Sequence, residues 1–194
     1  MIVDDHTSDD IYVHAHGLCE SAQVGAGTRI WAFAHVLDGA VIGRDCNLGD
    51  GVFVEGGAVL GDRVVVKNGV SVWSGVTLED DVFVGPNVAF TNDLVPRAAP
   101  YRTTADDWLP TRVCVGVSLG ANATIVCGIT IGRHAFAGAG AVVTRDVPAH
   151  ALVVGSPAKR VGWICLCGGR LDAALGCPDC GRAYQQDEHG LREV

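Results

Sequence analysis

The sequence predicts an all-β chain wound as a parallel β-helix, and three observations predict it. A bulky apolar residue recurs every sixth position in an unbroken run: Val24, Ile30, Val36, Ile42, Leu48, Val54, Leu60, Val66, Val72, Leu78, Val84 and Phe90. Four places after each of these except the last stands a small or β-branched residue, from Thr28, Ala34, Ala40 and Cys46 through to Val88. The pattern stops after Phe90 and resumes at Val113, Leu119, Ile125, Ile131, Ala137 and Val143. Six is neither the helical period of 3.6 nor the strand period of 2. A short fixed period marks a solenoid, and a hexapeptide period marks the parallel β-helix. An antiparallel sandwich would instead show period 2 without glycines held to one phase.

Each hexad supplies one short strand and one corner, and three hexads close a triangular coil. The whole repeat makes about six coils. A leading segment (1–17) precedes the coil, which runs to about Pro148. Gly43, Gly49, Gly61, Gly85, Gly120 and Gly132 each follow an apolar hexad residue. They are expected at the corners, where the backbone needs φ/ψ values that glycine adopts freely. The interruption at 93–112, DLVPRAAPYRTTADDWLPTR, carries three prolines and no hexads. It must leave the coil as a protruding loop, and loops of this length are usually functional. The sequence GSPAK at 155–159 marks the end of a β-helix domain spanning 1–157, followed by a small extension at 158–194.

Composition narrows the function classes. The 194 residues allow one main domain with an appendage. No stretch approaches the eighteen uncharged apolar residues of a membrane span, and the acidic start MIVDDHTSDD differs from the basic start of a signal peptide. A net charge of −8 with no basic run argues against a nucleic-acid partner. Cys46 and Cys127 fall inside the repeat as buried small apolar residues. A reducing cytoplasm is the expected location.

Several segments carry more than the period. FTND (90–93), SLGANATIVCGITIG (118–132) and AGAGAVVTRDVPAHALVVGSPAK (137–159) resemble left-handed β-helix acyltransferases. GTRIWAFAHV (27–36), VKNGVSVW (66–73) and GPNVAFTND (85–93) resemble, more closely, the N-acetyltransferases of nucleotide-linked 3-amino sugars. The resemblance covers roughly 12–163. It implies a left-handed coil, a homotrimer with sites between subunits, and acetyl-CoA as cosubstrate. The acceptor it implies is the 3-amino group of a UDP- or dTDP-linked sugar. An extended pantetheine arm would then run along the last coils at Gly120, Gly138 and Ala139, with Lys159 and Arg160 as partners for the coenzyme phosphates. A solvated basic pair is the plainer account of Lys159 and Arg160.

Acyl transfer to an amine needs a free amine, support for the tetrahedral oxyanion and a proton for the departing thiolate. Hexapeptide enzymes that acetylate hydroxyls usually carry a histidine base on the protruding loop, yet this loop holds none between Asn92 and Arg112. A sugar amine titrates near enough to neutrality to react without a strong base. Asn92 matches the Asn of the family's FTN motif, and its carboxamide suits orienting the amine or supporting the oxyanion; a corner Asn in left-handed φ is the alternative. His35, outward-facing in WAFAHV, is the second catalytic candidate, with an ordinary surface histidine as its alternative. Glu55, Lys67, Asn68 and Trp73 are candidates for the sugar cleft and Arg29 for a phosphate. His134 reads as surface filling.

The extension carries Cys165 and Cys167 in CLCGG and Cys177 and Cys180 in CPDCG. Two tight thiolate pairs suit a tetrahedral structural zinc, as in a zinc ribbon, and a segment too short for its own core gains most from such a staple. Disulfides or free thiols are the alternatives. The expected activity is acetyl-CoA-dependent N-acetylation. O-acetylation or other acyl transfer to a sugar hydroxyl is one competing reading. A non-enzymatic metal-binding scaffold shaped like γ-class carbonic anhydrases is the other, although His35 and His134 lack the clustering those proteins use.

Overall fold

The computed structural model describes residues 10–98 and 108–194. Within them the chain is all strand and turn, built as a parallel β-solenoid whose two-residue strands form three sheets of nine, seven and five members. Residues 1–9 and 99–107, which hold the acidic start and the middle of the expected loop, lie outside the described residues. Among the described residues no helix is long and apolar enough to cross a membrane.

The register explains the period. Arg29 pairs with Asn47 and Asn47 with Val65 on one face, and His35 with Phe53 and Phe53 with Ser71 on the next. One turn of the coil therefore consumes three hexads. In the two-residue strands from Arg29 onward the first residue faces outward and the hexad residue faces inward; in Val76–Leu78 and Thr111–Val113 an additional inward residue precedes the outward one. Ile30, Val36, Leu48, Val54, Val66, Val72, Leu119 and Ile125 are fully buried. Each such side chain contributes about 1.5–3 kcal/mol. The residues four places on, among them Ala34, Ala40, Cys46 and Ala58, are buried with them where the walls converge. The sulfur of Cys46 donates to the Gly61 carbonyl at 3.1 Å, which satisfies it inside the core.

Two sequence expectations shift. Seven turns form, because Tyr12–Val13 and Leu18–Cys19 already pair with the strands above them. The hexad phase slips by one there: Val13 pairs with Ile30 and Cys19 with Val36, seventeen residues apart instead of eighteen, so the inward positions fall one place after those the hexad count gives. The corner chemistry also differs. Left-handed φ falls three places after each hexad residue, at Gly39, Gly51, Gly57, Gly69 and Gly75, and at Phe33, Asp45, Arg63, Asp81 and Asn87. The glycines that directly follow the hexad residues are required for closeness instead. A Cβ on Gly43 would stand 2.4 Å from the Gly61 carbonyl oxygen, and one on Gly120 would stand 2.5 Å from the Ala139 nitrogen. Coils stack with their corners touching, and only hydrogen fits between them.

The upper end of the coil is covered. Ala151–Val154 adds to the nine-stranded sheet and Lys159–Trp163 folds back antiparallel upon it. The remaining chain forms a small module with its own core of Cys165, Leu171, Cys177, Tyr184 and Leu191. Its terminal hairpin, Tyr184–Asp187 with Gly190–Glu193, returns to the coil, where Ala149 and Leu191 are joined backbone to backbone at 3.2 Å. His134 is no surface filler: its half-buried ring lies 5.1 Å from that of His150, which in turn lies 4.9 Å from Tyr184 of the module. The His150 ring shares a hydrogen bond of 3.0 Å with the Ile164 carbonyl. Burial lowers both histidines, with the neighbouring positive charge of Arg133 acting the same way and Glu193 opposing it.

Replacing Gly43 by Ala is expected to cost about 2 kcal/mol or more by forcing two coils apart, whereas Gly51→Asn, in open space at φ +67°, costs under about 1 kcal/mol; urea unfolding of the two variants measures the difference. A histidine whose native pKa is depressed contributes stability above its unfolded pKa and loses it as pH falls. The melting temperature should therefore drop from about pH 6.5 downward, by roughly 2–4 °C for each kcal/mol lost. His134→Gln should flatten that decline.

Candidate active site and cysteine cluster

One face of the coil gathers most of the candidate residues. Its outward row runs His35, Phe53, Ser71 and Ala89 on successive turns. His35 Nε2 lies 3.3 Å from Glu20 Oε1, and its ring meets Phe53 edge-on at 5.8 Å. Phe53 packs against Trp73 at 5.7 Å. Trp73 ends the row as a brace, with its indole N–H donating to the Phe90 carbonyl at 2.9 Å. That bond ties down the residue two places before Asn92.

Asn92 stands at the edge of this face, where the coil opens. Its backbone carbonyl accepts from Leu109 N–H at 2.9 Å, so the loop's two arms are clasped at their root. The chain re-enters the coil at Thr111–Val113, pairing with Val76–Leu78. The Asn92 carboxamide is half-buried and has no hydrogen-bond partner among the described residues. A side chain fixed at its backbone and free at its amide is a ready donor and acceptor for a ligand.

The other candidates divide by position. Glu55 shares this edge but spends Oε2 on the Ser74 amide at 2.8 Å, an intercoil cap. Lys67 and Asn68 sit on the opposite edge of the face, and the Asn68 carboxamide packs over Gly49 of the turn below. Arg29 lies on the neighbouring face between Tyr12 and Asn47. His35 and Asn92 share a face without being neighbours: three turns separate them, about 14 Å at roughly 4.8 Å per turn. Sequence reasoning missed Glu20, and it missed Phe53, whose place one turn above His35 is readable once the eighteen-residue turn is known.

The expected cofactor residues fall in two places, Gly120, Gly138 and Ala139 at one corner of the last turns and Lys159 and Arg160 at the groove over the end of the coil. Gly120 lies directly beneath Ala139, and Gly138 would meet Val154 at 2.7 Å if it carried a Cβ. Val154 is the strand partner of Lys159. Lys159 and Arg160 then border a groove of about 410 Å³ over the end of the coil, shared with Thr144, Arg145, Pro148 and Ala158.

In the module the sulfurs of Cys165, Cys167, Cys177 and Cys180 all lie within 4.8 Å of one another. Cys165–Cys180 and Cys167–Cys177 are each 3.5 Å apart. That exceeds a disulfide bond of about 2.05 Å and approaches the edge of a tetrahedron whose centre lies about 2.3 Å from each sulfur. The Tyr184 hydroxyl lies 3.1 Å from Cys165 and Arg182 donates to Cys180 at 3.3 Å. Burial disfavours the Cys165 thiolate, but hydrogen bonds from Tyr184 and the neighbouring groups outweigh it and lower the thiol to about 6. The donor set fits a tetrahedral metal.

Comparison with known proteins agrees with this geometry. Residues 21–56 match the family model described as bacterial transferase hexapeptide (six repeats), and 39–74 and 111–145 match hexapeptide repeat of succinyl-transferase. The chain is 45% identical over 182 residues to dTDP-3-amino-3,6-dideoxy-alpha-D-galactopyranose 3-N-acetyltransferase of Aneurinibacillus thermoaerophilus, covering 92% of this chain and 93% of that one. A hexapeptide-repeat acetyltransferase of Vibrio cholerae, solved with acetyl coenzyme A, superposes with a TM-score of 0.56 at 25% identity, over 64% of this chain and 70% of that one. GDP-perosamine N-acetyltransferase of Caulobacter crescentus, solved with CoA and GDP-perosamine, shares the fold with a TM-score of 0.56 at 24% identity. It covers 80% of this chain and 58% of that one.

Proposed function

The chain belongs to the hexapeptide-repeat nucleotide-sugar N-acetyltransferases, and from that premise we propose that it acetylates the 3-amino group of a dTDP-linked 3-amino-deoxyhexose. The observation that carries this reading is the 45% identity along 93% of a relative with that activity, over a segment that includes Asn92 and its clasped loop. The same pocket chemistry would serve a UDP-linked sugar, and acceptor preference separates the two.

The reaction asks little of the protein in bond-making. The amine lone pair attacks the thioester carbonyl, a C–N bond forms, the C–S bond breaks, and the ammonium proton passes to the leaving sulfur. Asn92 orients the amine through its oxygen or supports the oxyanion through its nitrogen, a role worth on the order of a hundredfold or more in rate. No histidine stands on the loop, and His35 is three turns from Asn92 in the same chain, so proton transfer to the thiolate is the economical route. His35, held by Glu20, lies further down the face with Glu55, Lys67, Asn68 and Trp73, along the length an extended nucleotide sugar would occupy, and Arg29 is the candidate for its phosphates. The pantetheine arm would run along the outside of the corner formed by Gly120, Gly138 and Ala139, and Lys159 and Arg160 take the coenzyme phosphates.

A site spread along one flat face is open to solvent on its far side. A homotrimer, with the face of one subunit closed by its neighbour, supplies the missing wall. Zinc is the metal that suits four sulfurs at tetrahedral spacing; it would hold the module together, with no open position for substrate. All eight cysteines are free of disulfides, which suits a reducing cytoplasm.

Thiol release from acetyl-CoA should appear with a dTDP-3-amino-deoxyhexose and not with the corresponding 3-hydroxy sugar. Release with the hydroxyl acceptor alone would point to O-acetylation. Asn92→Ala should lower kcat by about 10²–10³ with the oligomer intact by light scattering. Protein prepared under reducing conditions should hold about one zinc per chain by elemental analysis. Cys180→Ser should lose most of it.

A further inference from the structure

Trp163 belongs to two cores at once: it packs against the apolar interior of the coil and against the core of the four-cysteine module. Three backbone anchors hold it. It pairs with Ala151 across the last sheet, its carbonyl accepts from Leu171 at 3.0 Å, and the next residue, Ile164, donates to the His150 carbonyl at 2.8 Å. The Arg170 side chain also bonds the Val161 carbonyl beside it. Over this fixed indole lies the guanidinium of Arg160, with Cζ 4.1 Å from the ring centroid.

An exposed arginine has much rotamer freedom to lose when it engages a phosphate. One laid flat on an indole has lost part of it already, and the stacking leaves the N–H edges free for a bidentate oxygen partner. Arg160 borders the groove at the end of the coil, and Cys165 follows Trp163 by two residues. We propose that Trp163 is a positioning residue that presents Arg160 to a phosphate of the coenzyme, and that the metal-bound cysteine module, by fixing Trp163 from behind, sets the affinity for acetyl-CoA.

This rests on the reading of the groove as a coenzyme site, and the experiment separates the two. Calorimetry with the full-length, zinc-loaded protein tests acetyl-CoA binding itself; no binding by the wild type removes the coenzyme reading and the positioning role with it. Given binding, Trp163→Leu is expected to raise the KM for acetyl-CoA about tenfold with kcat little changed, and Trp163→Phe, which keeps an aromatic face, should recover most of the loss. Combining Trp163→Leu with Arg160→Ala should add little to either alone. The penalty should vanish with S-acetylpantetheine, which lacks the nucleotide phosphates. Removing zinc from the wild type should weaken acetyl-CoA binding by a similar factor, read by calorimetry. An unchanged KM in Trp163→Leu, or an equal loss with acetylpantetheine, overturns the proposal. Where Trp163→Leu does not fold, Arg160→Lys decides: it keeps the charge but gives up the flat guanidinium stacked on the indole, so the KM for acetyl-CoA should rise while that for S-acetylpantetheine stays unchanged, and no such difference overturns the proposal.

Discussion

The closeness of stacked corners is the constraint on which the rest of this structure depends. Each turn donates its amides to the carbonyls of the next, as Arg29 N–H does to Cys46 and Asn47 N–H to Val64. That ladder holds only while the corner backbones approach within contact of one another. Gly25, Gly43, Gly61, Gly85, Gly120 and Gly132 stand where a Cβ would enter the backbone of the turn above. Because the spacing is thereby fixed, the inward residues stack into one continuous core, and the outward ones form straight rows. The row from His35 to Ala89 is a consequence of register, and so is any binding surface built on it.

The regularity is released at one place. Between Phe90 and Thr111 the chain leaves the coil, and the exit is reinforced by Trp73 bonding the Phe90 carbonyl, by the Asn92–Leu109 clasp, and by Thr91 accepting the Cys127 amide at 3.0 Å. These bonds tie the root of the loop to the coil on both sides. A carboxamide mounted on such a root holds its direction without help from the loop's interior, which is what an orienting group needs.

Much of this architecture is legible in the residues themselves. The hexads locate the inward side chains from Ile30 to Val143, the prolines locate the loop, and the cysteine spacing locates the cluster. The corners are harder: two glycine phases serve two needs, closeness after the hexad residue and left-handed φ three places after it, and residues such as Asp45 and Arg63 fill the second phase without being glycine. The first turn is hidden because it is one residue shorter than the rest, which moves its inward positions to Val13 and Cys19, out of the hexad count. The distance between His35 and Asn92 becomes readable only when the turn is counted as eighteen residues. The seating of the module on His150 and Trp163 leaves no periodic trace, since it depends on contacts far apart in the chain.

The two ends of the solenoid are unlike. At one, Lys159–Trp163, Ala158 and the returning hairpin occupy the last turn's amides and carbonyls. At the other, the described chain begins with Tyr12–Val13, half-open to water beside Trp31 and Phe33. In a stack where each turn is stabilised only by its neighbours, melting proceeds inward from the less protected end. Among the described residues the stack thus has a direction of fraying, starting at the end opposite the groove bordered by Arg160: partial unwinding would consume the turns around His35 before those carrying Asn92 and Gly138.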